Sequence, residues 1–326
     1  ILPRMQSAVP SLRDPDALPA PLAALVRRAR AGTRADGARI ALGIEGGGLA
    51  VAMGCGMAGE LERLGLTPWV DAVYGTSSGS LMAAYVAAGA IADAERVLED
   101  VCTRAFVDFR RLGRSPVVSL AFLMEVVRRR PPAIADPGRP ELHVLAARVR
   151  DGELRTLGPL TEREDALAAI RASMAIPVWS GPAVAYRGEV YSDGGLIESI
   201  PVDTPLRDGA THVIALRSRD AAYRKGERGR LYGLAEDAVA SRLPGELRRL
   251  IRERPARYDA EAGALAAADA GSGLLAGRAT QLAPPVGTPL VGRLEVDRDR
   301  VRAAIAAGAM AARSALVDDD AQALAD

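Results

Sequence analysis

Two short apolar runs constrain this chain more than any other feature. Arg39-Ile40-Ala41-Leu42-Gly43-Ile44 leads through Glu45 into the loop Gly46-Gly47-Gly48. Val70-Asp71-Ala72-Val73-Tyr74 leads into Gly75-Thr76-Ser77-Ser78-Gly79. A helix-forming stretch follows each: Leu49 to Leu64, closed by Gly65 as a C-cap, and Ser80 to Ala88. A brief apolar run bounded by glycines reads as a buried strand. Strand, loop and helix in succession favour parallel strands, which need a long crossover to pair. The expectation is an α/β fold with a mostly parallel central sheet flanked by helices.

The rest of the chain fits that frame. Ala92 to Val127 reads as largely helical and rich in arginine, and Leu142 to Val149 as a strand. Arg163 to Met174 reads as a helix that stops before Pro177, and Ala183 to Ser192 as a hairpin turning at Arg187-Gly188. His212 to Leu216 is a further strand. Helical patches are expected at Leu231–Ala240 and Leu247–Arg252, glycine-rich connections at 271–277, and a last helix over Arg300–Leu316. Prolines at 3, 10, 15, 19 and 21 predict an irregular lead-in before a short helix, Leu22–Ala31. With no repeat and no clean linker, the expected organisation is an extension over 1–38 and one domain over 39–326.

Composition narrows the chemistry. The 326 residues carry 42 basic and 41 acidic side chains, so the basic excess of a nucleic-acid binder is absent. The single lysine is Lys225. Cys55 and Cys102 lie far apart without Cys or His neighbours, which leaves no zinc pattern and no disulfide framework. The two histidines, His143 and His212, are the whole supply of that general base. No apolar stretch reaches the roughly 18 residues of a spanning helix, and no charged segment leads into an apolar core as in an export signal. A cytoplasmic location is expected, with no metal and no cofactor.

Gly75-Thr76-Ser77-Ser78-Gly79 is a G-x-S-x-G pentapeptide between a predicted strand and a predicted helix, the context a nucleophile elbow requires. Alone it would pass for a tight turn of small residues. Two features agree with it. Gly46-Gly47-Gly48 can present backbone N–H groups to a tetrahedral oxyanion, although such a triplet also serves as a flexible connection or a phosphate cradle. Asp193-Gly194-Gly195 stands at the end of a predicted strand, although Asp-Gly is also a common turn.

The three motifs in this order resemble those of bacterial patatin-like phospholipases. The likeness extends to Ala172-Ser173-Met174-Ala175-Ile176-Pro177, to Ile200-Pro201-Val202, to Arg254-Pro255-Ala256-Arg257-Tyr258 and to the tail around Arg293-Leu294-Glu295. It covers about residues 39–312. The resemblance implies a patatin-like three-layer fold and a serine carboxylic-ester hydrolase acting on lipid or other acyl esters. It implies a Ser–Asp dyad without histidine: Ser77 as nucleophile, Asp193 as base, and Gly46, Gly47 and Gly48 as the oxyanion loop, with the N–H of Ser78 as a further donor. Family members often carry Arg or Lys two positions after the triplet, where this chain has Ala50. That departure widens the implied activity from phospholipase to acyl hydrolase in general.

Other readings stay open. Ser77, Asp193 and His212 follow the Ser…Asp…His order of α/β-hydrolases, but His212 opens a strand, and His143 alternates with apolar neighbours in another. Gly54-Cys55-Gly56-Met57-Ala58-Gly59 matches a dinucleotide-binding pattern but falls inside a predicted helix, where glycines suit close packing of helix on strand. The arginines at 110–114 and 128–130 flank an apolar run, Val117–Leu123. That arrangement suits a cap meeting an anionic membrane surface, and equally an amphipathic helix with a solvated face. A catalytically silent lipid-binding protein and an acyltransferase built on the same serine are the functional alternatives.

Overall fold

The computed structural model describes residues 11–112, 114–134, 138–177, 179–226 and 243–318. Among them, helix α1 (Ala20–Ala31) precedes strand β1 (Ile40–Ile44), helix α2 (Ala52–Arg63), strand β2 (Ala72–Thr76) and helices α3 (Ser78–Ala88), α4 (Ile91–Asp100) and α5 (Leu120–Arg129). Strands β3 (Glu141–Arg148) and β4 (Leu154–Leu160), helix α6 (Arg163–Ser173), strands β5 (Val184–Tyr186) and β6 (Glu189–Asp193), and helix α7 (Asp203–Arg207) follow. The chain continues through β7 (His212–Leu216), α8 (Gly245–Asp269), β8 (Ala279–Leu282) and α9 (Arg298–Leu316).

The strands form one sheet in the order β5-β6-β3-β2-β1-β7-β8. The run β3-β2-β1-β7-β8 is parallel throughout, with Ile44 opposite both Gly75 and Leu216. The hairpin β5–β6 adds antiparallel to β3 at Ala146–Arg148, and β4 pairs antiparallel with β3 from Leu142 to Ala147. Three layers follow from the period of two in the strands. Ile40, Leu42, Ile44, Val73, Val144, Ile214 and Leu216 face a core shared with α1 to α6 and α9. Ala41, Ala72, Tyr74, Leu145, Val213 and Ala215 face Tyr258, Ala262 and Leu265 of α8. Strands buried on both faces read as continuous apolar runs, which is why β1 and β7 were legible.

Several expectations need correction. Residues 101–112 and 114–119, between α4 and α5, are irregular but for one 3-10 turn, Phe109–Arg111, so Ala92–Val127 is two helices rather than one helical stretch. Strands β4 and β8 lie where no strand is expected. Leu247–Arg252 is the start of a 25-residue helix that runs through Pro255. The patch at 231–240 lies outside the described residues. The glycines of α2 meet a helix more closely than a strand. A Cβ on Gly56 would stand 1.8 Å from the Ile305 carbonyl, and one on Gly308 2.0 Å from that of Met53, so α2 and α9 touch backbone to backbone.

The described part of the lead-in is tied to the domain. Leu22, Leu25 and Val26 of α1 enter the main core, and Leu12 pairs with Val317. Arg28 is buried beneath α1. It donates to both oxygens of Asp36 at 2.8 Å, to Asp71 at 2.6 Å, and to the carbonyls of Trp69 and Ala38. Asp71 in turn accepts the N–H of Ile40, the first residue of β1. No helix among the described residues is long and apolar enough to cross a membrane.

Candidate active site

Parallel α/β sheets bind ligands beyond the carboxyl ends of their strands, where loops diverge. Here β1 delivers Glu45 and the glycine triplet, β2 delivers Ser77, β6 delivers Asp193, and β7 delivers Arg217 to Arg219. A cleft of about 350 Å³ opens at that edge. Gly46, Gly47, Thr76, Ser77 and Gly195 line it, and so do cations from later in the chain.

Ser77 sits between β2 and α3 at φ 53°, ψ −130°, a conformation costly for any side chain. Its surroundings hold it there. Its N–H donates to Ser173 Oγ at 2.9 Å, and Ser173 Oγ donates to the Leu145 carbonyl at 2.6 Å. Its carbonyl accepts from the N–H of Ser80 at 2.9 Å and from Ser80 Oγ at 2.5 Å. The turn closes only over hydrogen: a Cβ on Gly75 would lie 2.4 Å from the Gly79 carbonyl oxygen, and one on Gly79 2.3 Å from that of Ile44. The strained turn sets the serine in the wall of the cleft at the start of an 11-residue helix whose dipole favours negative charge.

Asp193 is fully buried at the end of β6. Its N–H donates to the Ala175 carbonyl at 2.9 Å, and its Oδ1 accepts from the Gly195 N–H at 2.7 Å. Oδ2 is buried with no hydrogen bond of ordinary geometry among the described residues. Burial raises the carboxyl above its usual range. Arg254, the nearby Ser77 hydroxyl, the Gly195 N–H and Arg293 pull it back down. Gly194 lets the turn pass under β3, since a Cβ there would stand 2.2 Å from the Leu145 carbonyl oxygen.

The triplet is more engaged than a free loop. The N–H of Gly46 donates to the Ser199 carbonyl at 3.4 Å, and that of Gly47 to Ser78 Oγ at 3.1 Å. Gly47 and Gly48 take φ of 143° and 60°, values that L side chains rarely adopt. Gly48 lies away from the cleft, against the Arg293 carbonyl, which accepts the Leu49 N–H at 3.0 Å. Ala50 is buried and carries no polar group into the site.

Beneath the loop lies a network that sequence reasoning passed over. Arg217, 0% exposed, donates from Nε to Glu45 Oε2 at 2.9 Å. The Tyr258 hydroxyl donates to Glu45 Oε1 at 2.8 Å, and the Ser218 N–H to Oε2 at 2.8 Å. The signal for this pair was an acid and an arginine each following a predicted strand, at residues 45 and 217. Their register became visible only once β1 and β7 were paired. Ser173, Tyr258, Arg254 and Arg293 were likewise in view, inside segments noted only for their resemblance, whereas Arg219 and Lys225 had no such signal.

Both histidines lie away from the cleft. His212 opens β7, four residues or about 13 Å from the carboxyl edge, and its Nδ1 meets Thr211 Oγ1 at 2.9 Å. His143 stacks on Tyr74 at 4.5 Å and meets Glu141 through Nε2 at 3.2 Å. Cys55 is buried in α2. Among the described residues no group of three or more His, Cys, Asp or Glu side chains could hold a metal ion.

Comparison with known proteins gives the family. A stretch of 189 residues, 55% of this chain, is 30% identical to the uncharacterized protein YjjU of Escherichia coli (strain K12). The match spans about half the length of that relative, 52%. The crystal structure of VipD from Legionella pneumophila superposes with a TM-score of 0.47 at 13% identity, over 85% of this chain and 66% of VipD. The family model for patatin-like phospholipases matches residues 42–206, half of the chain, from β1 through the glycine triplet, Ser77 and Asp193 to α7. The chain therefore belongs to the patatin-like phospholipases, a family of lipid acyl hydrolases.

Proposed function

We propose that the protein is a lipid acyl hydrolase working through an acyl-Ser77 intermediate, with Asp193 as the general base and residues 39–326 as the catalytic unit. One observation carries the reading. Ser77, held on a strained turn at the cleft, stands beside a buried carboxylate with one oxygen free of conventional hydrogen bonds. As the Ser77 oxygen bonds to the acyl carbon, its proton passes to Asp193. The carbonyl oxygen gains charge at the start of α3, beside the Ser78 N–H and the N–H groups of Gly46 and Gly47 once these leave their present partners. The alcohol leaves with that proton. Water then attacks the acyl carbon as Asp193 takes its proton; the bond to the Ser77 oxygen breaks, the carboxylic acid leaves, and Asp193 returns the proton to Ser77.

Burial supports aspartate in this role. A carboxylate in water is a weak base, and a raised carboxyl pKa brings its basicity closer to the working pH. The distance of both histidines from the cleft also supports it. The engaged N–H groups of Gly46 and Gly47 imply a small rearrangement of the triplet when substrate enters. Exposed Phe109 and Leu112, next to Arg110 and Arg111, support peripheral contact with an anionic membrane.

A fluorophosphonate probe should label Ser77 in the wild-type protein. Ser77→Ala and Asp193→Asn should each reduce ester hydrolysis by about 10³-fold or more, in line with the loss of a nucleophile or base that acts as a unit. His143→Ala and His212→Ala should keep most of it. Loss of activity in a folded His212→Ala protein, or an unlabelled Ser77, would overturn the reading.

A further inference from the structure

The cleft has a second property that the dyad does not use. Arg219, Lys225, Arg254 and Arg293 line it, against one carboxylate, Glu45, among the described lining residues. Glu45 is already held by Arg217, Tyr258 and Ser218. Asp193 lies buried beneath. Glu261 is turned to the N–H groups of Ser199 and Ile200. Among the described lining residues, cations thus outnumber carboxylates.

Each cation is placed by a different part of the fold. The Arg254 guanidinium comes from α8 and stands 3.5 Å from where a Cβ on Gly195 would be, over the Asp-Gly-Gly turn. Arg293 is anchored through its carbonyl to the Leu49 N–H, beside the oxyanion loop. The lysine is fixed through its backbone, since Asp259 accepts the N–H groups of Lys225 and Gly226 at 2.6 and 3.1 Å. Its Nζ reaches within 3.4 Å of Ser199 Oγ and lies 3.9 Å from the centre of the Tyr258 ring. The Arg219 guanidinium lies over the Tyr223 ring at 5.3 Å. Neither Arg219 nor Arg293 pairs with a carboxylate among the described residues, in contrast to Arg28, Arg148 and Arg249.

The electrostatics agree. Arg254 and Arg293 lower the Asp193 carboxyl, and they join burial in pushing the Lys225 ammonium well below its usual range. Two guanidiniums therefore act on both groups at once. No Leu, Ile, Val, Met or Phe is among the described lining residues, so these walls suit the polar end of an ester rather than an acyl chain.

We propose that Arg219, Lys225, Arg254 and Arg293 form an anion subsite beside Ser77. It selects acyl esters whose alcohol bears a phosphate, and prefers an anionic phosphomonoester to a zwitterionic choline headgroup. The preference follows because arginine forks suit phosphate oxygens, while among the described residues no unclaimed carboxylate lines the cleft to receive a quaternary ammonium. Residue 50 has no part in it. The charge comes from the segment after β7, from α8 and from the stretch before α9. The substrate choice rests on the acyl-hydrolase reading, whereas the subsite itself is a binding site and is testable without turnover.

The test uses three soluble esters that differ only in headgroup: 1-hexanoylglycerol 3-phosphate, 1-hexanoylglycerophosphocholine and 1-hexanoylglycerol. The expected order of kcat/KM places the phosphomonoester at least tenfold above the other two. Arg293→Gln and Arg254→Gln should each shrink that ratio about tenfold; the ratio is read because Arg254 also acts on Asp193. In parallel, calorimetry on the Ser77→Ala protein measures binding of the same esters, of glycerol 3-phosphate and of inorganic phosphate. Tighter binding of the phosphomonoester than of the choline ester, weakened tenfold by Arg293→Gln, supports the subsite even if nothing is hydrolysed. Displacement of the ester by glycerol 3-phosphate but not by inorganic phosphate assigns the headgroup as the ligand. Displacement by both assigns phosphate alone, and either result upholds the site. Three esters bound and cleaved within twofold of each other, with a ratio unmoved in both variants, would sink the proposal and leave the dyad standing. An unlabelled Ser77 with phosphomonoester binding intact would do the reverse.

Discussion

The two ends of the parallel sheet treat positive charge in opposite ways. At the amino ends, Arg28 is buried and its guanidinium is met on all sides by Asp36, Asp71 and the carbonyls of Trp69 and Ala38. At the carboxyl ends, four basic side chains share a cleft where Glu45, the one lining carboxylate among the described residues, is already committed to Arg217. A saturated guanidinium fixes the chain, here clamping α1 to the starts of β1 and β2, and has nothing left to offer a ligand. Arg219 and Arg293, which pair with no carboxylate among the described residues, keep their donors for an incoming anion. One sheet thus carries a structural end and a reactive end, as parallel α/β architecture allows.

Arg28→Ala should break this contrast most severely. Removing one partner of a buried ion pair costs about 3–5 kcal/mol, so the urea midpoint should drop sharply while Ser77 in the folded fraction still reacts with a fluorophosphonate. A loss of labelling out of proportion to unfolding would mean that the two ends are coupled. Arg254→Gln acts at the other end. The proposed base must be ionised, so kcat/KM should rise with pH through the raised Asp193 pKa. Arg254 holds that pKa down, and its removal should move the acid limb of the profile upward. A limb that stays put or moves down would show that Asp193 does not feel Arg254.

A smaller effect is expected behind the cleft. Burial, with Glu198 nearby, pushes the Glu261 carboxyl up to about 8. Between its ordinary value of 4.5 and about 8 the folded protein holds this proton and the unfolded chain has lost it. Stability contributed by Glu261 is therefore present at low pH and lost as pH rises through that window. Glu261→Gln should flatten the fall in urea midpoint from pH 5 to 8, and an unchanged slope would refute the assignment. Smallest of all, the exposed Phe109 and Leu112 should tolerate change to serine within about 0.5 kcal/mol, while co-sedimentation with anionic vesicles decreases. Unaltered sedimentation would remove that surface from membrane contact.

What was legible in the sequence follows a pattern. β1, β2, β3, the β5–β6 hairpin and β7 were readable because local pattern and burial agree there. β4 was missed because it is an edge strand, half polar, with Gly158-Pro159 within it, so its pairing with β3 rather than its own composition makes it a strand. β8 was missed for a related reason: a four-residue strand after a glycine-rich connection exists because the edge of β7 is open to it. The irregular stretch between α4 and α5 looked helical because its apolar spacing is locally consistent. Its bonds instead alternate short turns with longer reaches, such as those from the Asp108 N–H to Val117 and from the Val118 N–H to Trp179.

The sequence by itself determined the alternation of strands and helices, the elbow with its serine and the order of the three glycine motifs. These are local: a tight turn needs glycine at particular residues, and a doubly buried strand needs an unbroken apolar run. The tertiary structure decided which charges meet. Glu45 and Arg217 are 172 residues apart, and become partners because parallel pairing brings the ends of β1 and β7 side by side. Arg254 and Arg293 reach Ser77 because α8 packs on one face of the sheet and the stretch before α9 returns to the glycine loop. Charge carries no periodicity of its own, so its pairing is set by where the backbone ends up.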